Sequence, residues 1–156
     1  MIPFGGPEYD FEILQNLDLD IPNKKSAATR DWVYIGRAGC DMQFSLRSFF
    51  CSEKKALDRE LFPRDSIRLR MFGTDYATSG MRRKWSQEAA EEFGLTSLVD
   101  ERPERIPYFE TLQRLRHADA IFVPGSDDPG YTASKIYPYI LAGRPLLTVF
   151  HKNSSV

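Results

Sequence analysis

Two short stretches of this chain bring together residue types that hold anions. The first is Gly36-Arg37-Ala38-Gly39, which follows the apolar run Trp32-Val33-Tyr34-Ile35. Glycine lets backbone come close to a ligand, and a helix start offers unbonded N–H groups and positive dipole. Arg37 adds a cation. No third glycine completes a dinucleotide fingerprint, no acid stands at Gly73-Thr74 to clamp a ribose, and the pattern is not a Walker motif. A plain strand-to-helix connection has the same composition, so the turn alone leaves both readings open.

The second stretch is Pro124-Gly125-Ser126-Asp127-Asp128-Pro129-Gly130-Tyr131, followed by Thr132-Ala133-Ser134-Lys135. Ser134 and Lys135 stand where a helix is expected to open. Lysine opposes the dipole at that end, and a bound diphosphate would supply the missing negative charge. The competing reading is a solvated lysine beside a capping serine. Asp127-Asp128 invites a metal, yet with no His or third acid nearby in sequence it reads as a turn. His117 reads as a helix-end residue. His151 follows the last strand at the ligand end, where a loop histidine without function is an equal reading. Arg82-Arg83-Lys84 reads as a solvated helix start, and Tyr108-Phe109 as core or rim.

Positioning these stretches requires alternating strands and helices. Strands are expected at 32–35, 67–72, 98–99, 120–123 and 146–150. The alternation Ile67-Arg68-Leu69-Arg70-Met71-Phe72 points to a strand covered on one face and so near a sheet edge. Helices are expected at 42–61, 87–93, 107–116 and from Ser134 to Leu141. Phe44, Leu46, Phe49, Phe50, Ala56 and Leu57 are expected as inner positions of the first, and Ser86 as cap of the second. Residues 1–30 read as an extended lead-in, and 31–156 as the domain. The pattern implies an α/β, Rossmann-like parallel sheet of about five strands with helices on both faces. Such sheets bind ligands beyond the carboxyl ends of their strands. Those ends precede 36–39, 73–78, 100–106, 124–134 and 151–154.

Bulk properties set the class. The chain has 156 residues, enough for one domain with a core, and a net charge of -1, which gives no case for a nucleic-acid or membrane surface. No apolar run reaches the roughly 20 residues needed to cross a bilayer, and no basic-then-apolar leader opens the chain. Cys40 and Cys51 have no metal-like spacing and read as buried free thiols in a reducing compartment. A cytoplasmic location is the expectation.

Four stretches carry a family resemblance: Tyr34-Ile35-Gly36-Arg37-Ala38-Gly39; Arg105-Ile106-Pro107-Tyr108; Ser134-Lys135-Ile136-Tyr137-Pro138-Tyr139-Ile140-Leu141-Ala142-Gly143-Arg144-Pro145; and residues 146–151. The chain resembles the C-terminal, donor-binding half of bacterial family-4-like glycosyltransferases, whose two facing Rossmann domains form the GT-B fold. The resemblance spans most of 32–154. It implies a nucleoside-diphosphate sugar as donor substrate, with no metal or other cofactor, and transfer of a sugar to an acceptor hydroxyl. Gly36, Arg37, Ser134 and Lys135 would take the diphosphate, Arg37 and Lys135 stabilising its charge. Gly73 and Thr74, with the loop from Pro103 to Ile106, would border the nucleoside. Ser126, Asp127 and Tyr131 would approach the sugar. Pro138 stands where the family commonly has a ribose-binding glutamate. The resemblance also implies an acceptor-binding domain preceding this one, so that the chain corresponds to part of a longer enzyme and is inactive alone. The rival reading is a non-enzymatic, flavodoxin-like binding module.

Overall fold

The computed structural model describes residues 8–17, 28–78 and 80–154. Five strands form one sheet: β1 (Arg30–Ile35), β2 (Ile67–Phe72), β3 (Val99–Arg102), β4 (Ala120–Pro124) and β5 (Leu146–Val149). Every neighbouring pair is parallel, in the order β3-β2-β1-β4-β5. Parallel neighbours need crossovers, and the helices supply them: α2 (Gln43–Asp58), α3 (Trp85–Glu91), α4 (Tyr108–His117) and α5 (Ile136–Leu141). The chain runs outward from β1 to β3, then returns to add β4 on the other side of β1. Right-handed crossovers in opposite directions put α2 and α3 on one face, and α4 and α5 on the other. The α/β, Rossmann-like reading therefore holds. Among the described residues no helix is long and apolar enough to cross a membrane.

Helix α2 shows how sequence periodicity becomes packing. Leu46, Phe49, Phe50 and Glu53 recur every three or four residues and are buried. Phe49 stacks against Phe122 of β4 at 4.5 Å and against Trp32 of β1 at 6.0 Å. Phe44 was expected on this stripe but is 68% exposed, because it lies one step outside it on the first turn.

Four further expectations are corrected. β2 lies between β1 and β3, not at an edge. Its alternation has another cause: Leu69 and Met71 are buried, while Arg68 and Arg70 share the other face with Asp31 of β1 and Asp100 of β3. That face is ionic, with Arg70 Nε 3.0 Å from Asp31 and Nη1 3.4 Å from Asp100. Within the region read as extended, a helix, α1 (Glu8–Leu14), packs near α4 and α5 and buries Phe11 and Leu14. The rest of that region, 1–7 and 18–27, lies outside the described residues. Ser86 does not cap α3; Glu101 of β3 does, accepting from Ser86 N at 3.0 Å and Gln87 N at 2.9 Å. The cysteines are free, but Cys40 is exposed and Cys51 half-buried.

Glu53 is the anomaly of the α2 stripe: it is 9% exposed, and its Oε2 has no hydrogen-bond partner among the described residues. Burial pushes its carboxyl above the ordinary value of 4.5. An acid with a higher pKa folded than unfolded carries more protons in the fold. Its contribution to stability therefore falls as pH rises from about 4.5 through the folded value. Replacement by Gln is expected to raise the urea midpoint at neutral pH and to flatten this decline. Urea titrations of both proteins at mildly acidic and neutral pH measure it; a lower midpoint for Glu53→Gln at neutral pH would contradict the assignment.

Candidate functional site

The order of strands reverses between β1 and β4, and such a reversal leaves a crevice at the carboxyl ends. The end of β1 is fixed first. Tyr34 Oη donates to Arg37 O at 2.7 Å, and Tyr139 Oη of α5 donates to Ile35 O at 2.6 Å. Both phenols are buried, and burial raises both above the ordinary tyrosine value. Their rings meet edge to face at 6.5 Å. Between the two braced carbonyls stands Gly36. A Cβ there would collide with Lys135 Nζ and lie 2.9 Å from Tyr34 Oη. A side chain at Gly36 would have to push the Lys135 ammonium aside and crowd the Tyr34 phenol, so the group packed on this glycine is a lysine.

Lys135 is the residue just before α5, which begins at Ile136; Ser134 makes no cap to it. Lys135 Nζ donates to Tyr76 Oη at 3.5 Å, and the Arg105 guanidinium stacks on the Tyr76 ring at 4.1 Å. Neither cation is ion-paired with an acid among the described residues. Below them opens a cavity of about 410 Å³ between α4, α5 and the ends of β1 and β2. Its floor is apolar, built from Ile35, Phe72, Leu112, Leu115 and Tyr139, and its lining contains no carboxylate. The segment carrying Tyr76 is held by Asp75, whose carboxylate accepts from Ala77 N at 2.9 Å and Arg83 N at 2.8 Å. Gly73, with φ of 65°, begins that segment in the left-handed region.

Of the residues read from sequence, Gly36, Gly73, Ile106 and Lys135 line this cavity. Thr74 is fully buried, its carbonyl accepting from Ala38 N at 2.8 Å. Pro103 is buried behind it, accepting from Asp75 N at 3.3 Å. Ser126 is buried and accepts from Asp128 N at 3.1 Å; Asp127 and Ser134 are exposed. Tyr131 is half-buried near Arg37 and Asp41, and burial raises its pKa. Asp127-Asp128 is a turn, with Asp128 Oδ1 accepting from Gly130 N at 2.8 Å. No cluster of three His, Cys, Asp or Glu suited to a metal occurs among the described residues. His117 ends α4, its Nδ1 2.8 Å from Gln113 O.

Arg37 is not poised in the open. Asp41 holds it through two parallel hydrogen bonds of 2.6 and 2.7 Å. Those bonds raise the Arg37 pKa and draw the Asp41 carboxyl below its usual range. The turn is also partly used up, since Gly36 N donates to Phe72 O and Ala38 N to Thr74 O. Sequence reasoning missed Asp41 and Tyr76; it quoted Arg105 and Tyr139 and placed the Pro103–Ile106 loop beside the nucleoside, but missed the stacking of Arg105 on Tyr76 and the bracing role of Tyr139. Asp41 had a readable signal, because an acid four residues after an arginine at a helix start is within pairing distance. The partnership of Tyr76 with Arg105 had none, because it joins loops from different crossovers.

Two outcomes are expected. Tyr139→Phe leaves the Ile35 carbonyl without its donor and should cost about 1–2 kcal/mol in urea unfolding. Asp41→Asn releases Arg37 and should tighten diphosphate binding by about five- to tenfold, or about 1–1.4 kcal/mol, by calorimetry. Unchanged affinity would mean that Arg37 does not reach the anion.

No protein-family model matches this chain, and no curated protein is significantly similar to it.

Proposed function

We propose that the crevice between β1 and β4 holds the diphosphate of a nucleotide-sugar, as the donor-binding part of a sugar transferase. One observation carries the reading: Lys135 lies directly over Gly36 at the strand reversal, with Arg105 beside it and no acid paired to either among the described residues. Cations that lack an acidic partner at the rim of an apolar cavity suit a ligand with a charged end and a flat body. A nucleoside diphosphate has both. Lys135 and Arg105 would take the phosphates, and the base would enter the apolar chamber.

In transfer, an acceptor hydroxyl oxygen bonds to the anomeric carbon as the bond from that carbon to the diphosphate oxygen breaks. The electron pair leaves with the nucleoside diphosphate, and the acceptor proton passes to a base outside the described residues. Lys135, joined by Arg37 once Asp41 lets it go, would stabilise the charge building on the leaving group. The resemblance to family-4-like glycosyltransferases supports this role, and the acceptor would be held by a second domain.

A second reading has its own observation. The Arg37–Asp41 pair and the occupied N–H groups of the turn favour a non-enzymatic binding module with little appetite for phosphate, but not one of flavodoxin-like topology, because the strand order β3-β2-β1-β4-β5 is not the flavodoxin-like 2-1-3-4-5. A thermal-shift panel of nucleoside mono-, di- and triphosphates separates the two, because a ligand selective for the folded state raises its apparent stability. A selective rise with diphosphates is expected.

Lys135→Ala should weaken nucleoside-diphosphate binding by about 10- to 100-fold, the worth of a charge-assisted hydrogen bond. The unfolding midpoint should barely move, since among the described residues the ammonium makes only the long hydrogen bond to Tyr76, at 3.5 Å. Equal affinity of mutant and parent in calorimetry would refute the assignment.

A further inference from the structure

We infer that Tyr76 is a positioning residue for the anion rim, holding the Lys135 ammonium and the Arg105 guanidinium in place before a ligand arrives. The inference rests on the diphosphate reading given above and deepens it.

Two cations that lack an acidic partner repel each other, and their long side chains are free to rotate. Ordering them weakens binding unless the protein has ordered them beforehand. Tyr76 has a different surface for each cation. Its phenol oxygen accepts from Lys135 Nζ at 3.5 Å. Its ring face, which carries negative charge density, lies 4.1 Å from the Arg105 guanidinium. One neutral side chain thus draws both cations to the cavity that all three residues line. An acid in the same place would hold them more tightly, but it would compete with the incoming anion, as Asp41 does at Arg37.

Core burial is not what fixes the ring, since Tyr76 is 50% exposed. Its position comes from its backbone. Gly73 N donates to Arg102 O and Glu104 O, both at 2.9 Å, and Asp75 N donates to Pro103 O at 3.3 Å. These bonds tie the segment to the loop that carries Arg105. The Thr74 carbonyl accepts from Ala38 N at 2.8 Å, which ties it to the turn on which Lys135 packs. Asp75 closes the loop beyond the ring through Ala77 N and Arg83 N. The ring therefore keeps its place relative to both cations.

Inorganic pyrophosphate, which has neither base nor sugar, and uridine diphosphate are the probes, titrated into the whole chain by calorimetry. Tyr76→Phe keeps the ring but loses the phenol oxygen, and should weaken both by about two- to threefold. Tyr76→Leu loses both surfaces and should weaken both by about tenfold. With Arg105→Ala in place, Tyr76→Leu should cost only the roughly two- to threefold that belongs to Lys135. In the ligand-free protein, the Arg105 side-chain protons should resonate upfield under the Tyr76 ring current and lose that shift in Tyr76→Leu. If Tyr76→Leu does not fold, Tyr76→Phe and the upfield shift in the parent protein decide. Affinities unchanged by the variants, or Arg105 protons at ordinary positions in the parent, would overturn the positioning role alone. So would a full tenfold loss that persists without Arg105, because the ring would then touch the ligand itself. A parent protein that binds neither probe would overturn the diphosphate reading and this role with it.

Discussion

The end of β1 governs the rest of the structure. Its last carbonyls are gripped by two buried phenols, Tyr34 from the strand itself and Tyr139 from α5. That grip joins the first strand to the last helix across about a hundred residues of chain (104 positions separate Ile35 from Tyr139). It fixes where α5 starts relative to β1, and so where Lys135 sits. Gly36 suits this arrangement, because a side chain there would have to displace the Lys135 ammonium and crowd the Tyr34 phenol. The candidate site is thus a by-product of core packing at the strand reversal, held by hydrogen bonds that lie out of water.

Electrostatics then divides the carboxyl end into two states. Arg37 is neutralised by a bidentate partner four residues on, while Lys135 and Arg105 share only an aromatic ring between them. A partly exposed pair such as Arg37–Asp41, with side chains 40% and 31% exposed, adds little to stability. Its effect is on availability: an anion reaching Arg37 must compete with a carboxylate already in place. The cations without such a competitor, Lys135 and Arg105, both line the apolar chamber.

The fold was legible because its signals are local. Short apolar runs such as Ala120-Ile121-Phe122-Val123, ended by Pro-Gly, mark a buried parallel strand whatever else surrounds it. The stripe of α2 could be read from its period. What misled was the assumption that a one-faced alternation means an edge. In β2 the second face is covered by charges from Asp31 and Asp100 on both neighbours, an arrangement invisible without strand order. The site was half legible for the same reason. Gly36 and Lys135 announced themselves by type and position. Tyr76 and Arg105 sit on loops whose meeting depends on which strands lie side by side.

The two faces of the sheet near β1 and β2 solve one problem in different ways. On the α2 side, Leu69 and Met71 are fully buried in the hydrophobic core. On the α4 side, Phe72 is capped by the Arg114 guanidinium at 4.5 Å, and the adjoining surface is ionic. Ion pairs tolerate gaps poorly, since a charge separated from its partner keeps its desolvation cost. Hydrophobic side chains fill gaps by repacking, and a fixed Asp31–Arg70–Asp100 line does not. The smaller cavity on the α4 side borders this ionic line, while the larger one, at the other end of α4, has an apolar floor.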